Sequence, residues 1–222
     1  MSDWAIPGGA VYVTEGDIAA TSRITGLATS VTLNTKEGWT ELVASLGRAA
    51  QGFWFWINIA DESDFLIDVG VGAAGSEVVV LPDLLYTNDA FPTQLLTYFP
   101  ISIPSGTRIA ARQQHSRANA SAQVSLVLAS GGFPFFPPMG RVTAYGSAAA
   151  DSGGTGLDPG GVANTKGAYS QIVASTTNPT SLLYVAFGNQ DNGARTRCFW
   201  LIDIAVGAAA SEHIILSDLN FM

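Results

Sequence analysis

Short apolar runs, broken by Gly, Pro and small polar residues, carry most of this chain's pattern. Runs of this length rich in β-branched and aromatic residues predict strands at 53–59, 65–71, 78–81, 95–103, 107–111 and 123–128. Within 53–57, alternation puts Phe53, Phe55 and Ile57 on one face and Trp54 and Trp56 on the other. Both faces are then aromatic, so both are expected to be covered. Residues 69–80 read as a hairpin with its loop at 72–77, although that loop also suits a short helical turn. In ISIPSGTRIAAR, Pro104 and Gly106 supply the fixed and the permissive φ of a turn between two strands, a second expected hairpin. Helix signal is scarce. Trp39, Leu42, Val43 and Leu46 are spaced for an amphipathic helix, but the stretch 35–46 also suits a loop and strand, which is the reading preferred here.

The pattern is stated twice. LIDVGVGAAGSEVVVLPDL at 66–84 returns as LIDIAVGAAASEHIILSDL at 201–219, with twelve of nineteen positions identical and no gap. Asn34-Thr35-Lys36 with Trp39 returns as Asn164-Thr165-Lys166 with Tyr169. The offset is 130 from Lys36 to Lys166 and 135 from Asp68 to Asp203. A period this long is a domain, since solenoid units run roughly 20–50 residues. The reading is all-β: two tandem β-sandwich, jelly-roll-like domains from an internal duplication, the second incomplete. The first spans 1–130, a Pro/Phe-rich connector spans 131–140, and the second copy spans 141–222. An insertion at 151–161, DSGGTGLDPGG, reads as a flexible surface loop. After Leu219 the second copy lacks counterparts of about three strands of the first. Either the sequence is a piece of a longer protein, or a neighbouring subunit supplies strands to an open edge.

Composition narrows the partners. Charged residues are 13% of the chain, against ~25% in an ordinary domain. Such a surface is either covered by another molecule or neutral and rich in small polar groups. The net charge of −8 and the lack of any Lys/Arg run argue against nucleic acid. No stretch has the length of a membrane span, and MSDWAIPGGA lacks the features of a signal peptide, so a soluble protein made in the cytoplasm is expected. A single cysteine, Cys198, excludes an intrachain disulfide and reads as a buried thiol beside Phe199 and Trp200.

Candidate chemistry is thin. Asp68/Asp203 and Glu77/Glu212 recur in both copies, but no calcium-type or metalloprotease spacing surrounds them. They are expected to cap a strand end and to bond the backbone of a Gly/Ala turn, with Asp83 and Asp218 as turn formers. His115 and His213 are not equivalent and read as surface or packing residues. No nucleophile, phosphate-loop or dinucleotide motif occurs, so no enzyme activity, cofactor or metal is expected. The candidates for contact are aromatic. Trp54 aligns with Tyr184 and reads as shared core. Trp56 aligns with Ala186 and is particular to the first copy, as an interface residue or a stacking platform for a sugar. Phe133, Phe135 and Phe136 in the connector GGFPFFPPMG are expected to pack against the domains or another chain.

The stretch LIDVGVGAAGSE…LPDLL followed by FPISIPSGTRIAAR resembles virion structural proteins of tailed bacteriophages. The resemblance covers 65–112 and recurs in the second copy. It implies a particle component: a tail protein of fibre or baseplate type first, or a capsid decoration protein. It carries no site residues. Its implied partners are other virion proteins, further copies of the chain in closed symmetry with a trimer favoured, and a host-surface glycan. Its implied location is the virion. A carbohydrate-binding module is the remaining alternative.

Overall fold

The Gly and Pro punctuation and the β-branched and aromatic runs yield strands, and no helix occurs among the described residues of the computed structural model. The structure describes residues 4–5, 11–15, 25–29, 31–59, 63–88, 93–130, 142–186 and 200–221. No helix is long and apolar enough to cross a membrane. The chain divides into two compact units, Met1–Gly154 and Thr155–Met222.

The first unit holds β1 (Trp4–Ala5), β2 (Val11–Glu15), β3 (Thr25–Gly26), β4 (Thr40–Val43), β5 (Gly52–Ile59), β6 (Ser63–Val71), β7 (Val78–Asn88), β8 (Thr93–Phe99), β9 (Ile109–His115) and β10 (Ala122–Ser130). A short hairpin, β11 (Ser147–Ala148) and β12 (Gly153–Gly154), follows. One sheet runs β1-β2-β10-β5-β8, with β3 also on β10, and the other runs β4-β9-β6-β7. Take the eight principal strands β2 and β4 to β10 in chain order. The first pairs with the last, the second with the seventh, and the fourth with the fifth. The third pairs with the sixth. That is a long antiparallel hairpin rolled up, the double Greek key of a jelly roll.

The two sheets enclose one apolar cluster. Phe53, Phe55 and Ile57 of β5 and Val124, Leu126 and Leu128 of β10 meet Phe65, Ile67 and Val69 of β6 and Ile109 and Ala111 of β9. Phe53 and Phe55 touch edge to face, with centroids 6.5 Å apart. Each buried Phe contributes about 1.5–3 kcal/mol. The alternation along 53–57 is as read: the odd positions are fully buried and Trp54 and Trp56 lie half-buried on the outer face. Trp54 is therefore not core. Its ring leans on Tyr98 of β8 at 4.6 Å, because an even position in this strand cannot reach the inner layer.

Two further expectations change, and the loop-and-strand reading of 35–46 holds. The segment ISIPSGTRIAAR is not a hairpin, since β8 lies in one sheet and β9 in the other. Ile101, Ile103 and Ile109 turn buried side chains inward, while Ser102 and residues 104–106 stay exposed as the chain crosses between layers. Ile103 bridges to Ala50 on the way. Gly106 does take the left-handed conformation (φ 76°), and its N–H donates to the Leu46 carbonyl at 2.6 Å. The 35–46 stretch forms only β4, without helix. Within 151–161, Ser152 is fully buried rather than part of a solvated loop. Its hydroxyl accepts from Gln114 Nε2 and donates to Asn34 Oδ1. β12 packs over β6 and β7, so β6 is buried on both faces.

In the second unit, 155–186 contains no strand, and β13 (Trp200–Val206) and β14 (His213–Phe221) form a two-stranded sheet. The connector 131–140, with Phe133, Phe135 and Phe136, lies outside the described residues, as does Cys198.

Candidate functional site

The repeat is a repeat of structure as well as sequence. β6 and β7 pair Leu66 with Leu85, Ile67 with Leu84, Val69 with Leu81, Gly70 with Val79 and Val71 with Val78. β13 and β14 pair Leu201 with Asn220, Ile202 with Leu219, Ile204 with Leu216, Ala205 with Ile214 and Val206 with His213. Adding 135 to the first set gives the second, including both register shifts.

The bulge explains the aspartates. Between the pairs Ile67–Leu84 and Val69–Leu81, Asp68 faces two residues, Pro82 and Asp83. Proline offers no N–H to a ladder and is tolerated at bulges. Asp83 swings to φ 44°, a conformation that Asn and Asp accept more readily than most residues. Its N–H donates to Asp68 Oδ1 at 2.8 Å. In the second copy Asp218 has φ 54° and donates to Asp203 Oδ1 at 2.9 Å. Asp68 and Asp203 thus sit in mid-strand at a bulge and do not cap a strand end. The turn-forming role read for Asp83 and Asp218 belongs to this bulge.

Sequence reasoning found no partner for these carboxylates, and the partner is the repeated lysine. Lys36 Nζ lies 2.7 Å from Asp68 Oδ1 and 2.8 Å from Asp83 Oδ1, and donates to the Leu66 carbonyl at 3.2 Å. Lys166 Nζ lies 2.6 Å from Asp203 and 2.7 Å from Asp218. The preceding Asn34 and Asn164 share a left-handed φ of 55° and 59°. The signal was present: Asn-Thr-Lys is an anchor of the duplication, and a lysine kept beside kept aspartates invites pairing. What hid it was a sequence separation of 32 residues from Lys36 to Asp68.

The first copy adds two arginines, Arg112 of strand β9 and Arg108 just before it, and β9 pairs along the other edge of β6. Arg112 Nε donates to Asp68 Oδ2 at 2.8 Å, and its guanidinium lies 4.5 Å from the centroid of Trp39. Arg108 bonds Glu77 Oε1 at 2.9 Å and Glu41 Oε2 at 2.7 Å. Burial opposes charge on Glu77, but hydrogen bonds from its own backbone, Arg108 and the Gly75 backbone win. They hold its carboxyl below the ordinary range. The turn-bonding role read for Glu77 is thus present, with an ion pair added. Its second-copy equivalent Glu212 accepts from the Ala210 N–H at 3.1 Å.

The charges are paired rather than poised for proton transfer. Hydrogen bonds donated to Asp203 and then to Asp218 hold the Lys166 ammonium above its ordinary range, so it stays protonated and poorly nucleophilic. Lys166 and then the Asp218 N–H hold Asp203 below the ordinary carboxylate range. Lysine occupies the place between the carboxylates that a metal ion would need. No cluster of three or more His, Cys, Asp or Glu that could hold a metal occurs among the described residues.

The polar run after Ala111 was also missed as a strand. Gln113, Gln114 and His115 are buried in β9. Gln113 joins the loop after β3 to the start of β10, donating to Ala28 O at 2.9 Å and accepting from Ala122 N at 2.9 Å. His115 is a packing residue, as one of the two readings held. Its ring lies against Phe65, and Nε2 is 4.0 Å from Glu37 Oε1. His213 is exposed on β14. Trp56 stands on the outer face of β5, in register with Leu96 and Ser125. Compared with protein-family models, curated proteins and solved structures, the chain matches none.

Proposed function

We propose that this chain is a non-catalytic structural protein of a bacteriophage particle, placed first in the tail as a fibre or baseplate component, which works by subunit assembly. One observation carries the reading. The same lysine-clamped hairpin occurs twice, with its first strand buried in the first unit and half-buried to exposed in the second. Leu66 is fully buried, while its counterpart Leu201 is 56% exposed. A sheet edge that no described strand covers, beside exposed apolar side chains, is a template for another chain. The jelly-roll order supports the reading more weakly, because that fold also serves lectins and cupins. Labelling this protein in intact particles and imaging them tests the proposal. Label at the tail is the expected result, and label absent from particles overturns it.

The aromatic outer face of β5 favours a second reading, capsid decoration. Trp54, Trp56 and Tyr98 lie there half-buried, and a decoration protein needs an apolar face to seat on a shell. Label at the head would select this reading. The same face bears on the glycan alternative: loss of glycan binding in Trp56→Ala, with the fold intact, would support it.

A further inference from the structure

The first unit shows what an occupied hairpin edge looks like. β9 lies antiparallel along β6, with Ile109 opposite Val71, Ala110 opposite Gly70, Ala111 opposite Val69 and Arg112 opposite Asp68. Its Arg108 and Arg112 end on Glu77 and Asp68. Asp68, Glu77 and Asp83, with Glu41 also on Arg108, therefore face Lys36, Arg108 and Arg112, four carboxylates against three cations. In the second unit Asp203 and Asp218 meet Lys166, and Glu212 meets no cation among the described residues, three carboxylates against one cation. Asp203 Oδ1 takes both Lys166 and the Asp218 N–H, as Asp68 Oδ1 takes their equivalents. Asp203 Oδ2, the counterpart of the oxygen that receives Arg112, has no hydrogen bond among the described residues.

We infer that the outer edge of β13 is a binding site for an antiparallel β-strand of a separate polypeptide. That strand presents two arginines four residues apart with small apolar residues between them. The chemistry is that of Arg108-Ile109-Ala110-Ala111-Arg112. One arginine reaches Asp203 Oδ2, the other reaches Glu212, and the intervening residues pair with Ile204, Ala205 and Val206. Main-chain bonds along the edge supply affinity, and the two charge-assisted bonds supply register. A second copy of β13 is the wrong occupant. It would set Asp203 and Glu212 against an edge with the same excess of negative charge. The inference rests on the duplication and stands whether or not the protein belongs to a virion.

A labelled peptide with the sequence of residues 105–117, SGTRIAARQQHSR, is the probe, titrated into the full chain. One-to-one binding is expected, with new amide-exchange protection in Trp200–Val206. Replacing Arg108 and Arg112 of the peptide by alanine, or introducing Asp203→Asn in the protein, weakens binding at least about tenfold. Asp68→Asn leaves it within about twofold, because β9 already fills that edge. Should Asp203→Asn disturb the hairpin, Glu212→Gln provides the same comparison from the turn. Absence of binding, or binding indifferent to the arginines and to both acidic variants, overturns the proposal. So does a protein that sediments as a dimer through β13 and excludes the peptide.

Discussion

The hairpins β6–β7 and β13–β14 share a register, two shifts, a left-handed aspartate and a lysine clamp, yet live in opposite environments. In the first, β9 closes one edge, β12 packs over one face and the opposite sheet covers the other, so Leu66, Ile67, Val69 and Leu81 are at most 2% exposed. In the second, Leu201, Val206, Ile214, Ile215 and Leu216 stand 38–56% exposed. Local geometry therefore does not depend on burial here. The bulge and its clamp form wherever the sequence places Asp opposite a Pro-Asp or Ser-Asp pair with a lysine in reach.

The largest break in this symmetry is expected at the leucines. Leu66→Ala empties a fully buried position and should cost about 2–5 kcal/mol in urea unfolding. Leu201→Ala changes an exposed residue, and a shift within about 0.5 kcal/mol is expected. Equal losses would show that the second hairpin is covered in solution.

The aspartates come next. Asp68→Ala strands Lys36 and Arg112 beside an empty site. Asp68 is buried, but its partners are 20% and 30% exposed, so about 3 kcal/mol is expected, the lower end for breaking a buried pair. Asp203→Ala removes a pair open to solvent, and a clearly smaller loss is expected in the same assay.

A subtler comparison uses Gly70, where an added Cβ would lie 2.7 Å from Trp39 Cη2. The second copy has Ala205 and Tyr169 at the corresponding positions. Gly70→Ala should cost about 1–3 kcal/mol by overpacking. Trp39→Tyr in the same chain should recover part of that, measured as a double-mutant cycle. Additive losses would mean that the two positions are not coupled.

The smallest effect is on pH. Folding lowers the proton affinity of Asp203 and Glu77, so their contribution is present above the ordinary carboxylate range and is lost as pH falls through the folded values. Lys166 has the opposite sign. Its contribution is present below the ordinary lysine range and is lost as pH rises through its raised folded value. The Asp218 amide, bonded to Asp203 Oδ1, reports both limits in an NMR titration. A plateau between the two ranges is expected, and a transition near neutrality would mean that another group controls the clamp.

Periodicity exposed the strands 53–59, 65–71 and 123–128, since a run that alternates between core and outer face leaves a period of two in the residue types. It failed at Gln113, Gln114 and His115, because a central strand can bury polar side chains: Ala28 and Ala122 satisfy Gln113, Ala149 and Ser152 satisfy Gln114, and His115 packs on Phe65. It misjudged Trp54, where matching aromatics in two copies were taken for core. The clamp was half legible: the acidic positions stood out through duplication, but not the lysine or the arginines that answer them.

The sequence by itself determined the all-β class, the duplication and the local shape of each hairpin. Those depend on residues close in the chain or on identity between copies. Only the tertiary structure decided which strands lie in which sheet, that residues 101–109 cross between layers, and which cations meet which carboxylates. The physical reason is range. Turn and bulge geometry is settled over a few residues, whereas strand order and ion pairing depend on the packing of segments separated by tens of residues. Two nearly identical hairpins can therefore end up one closed and one open.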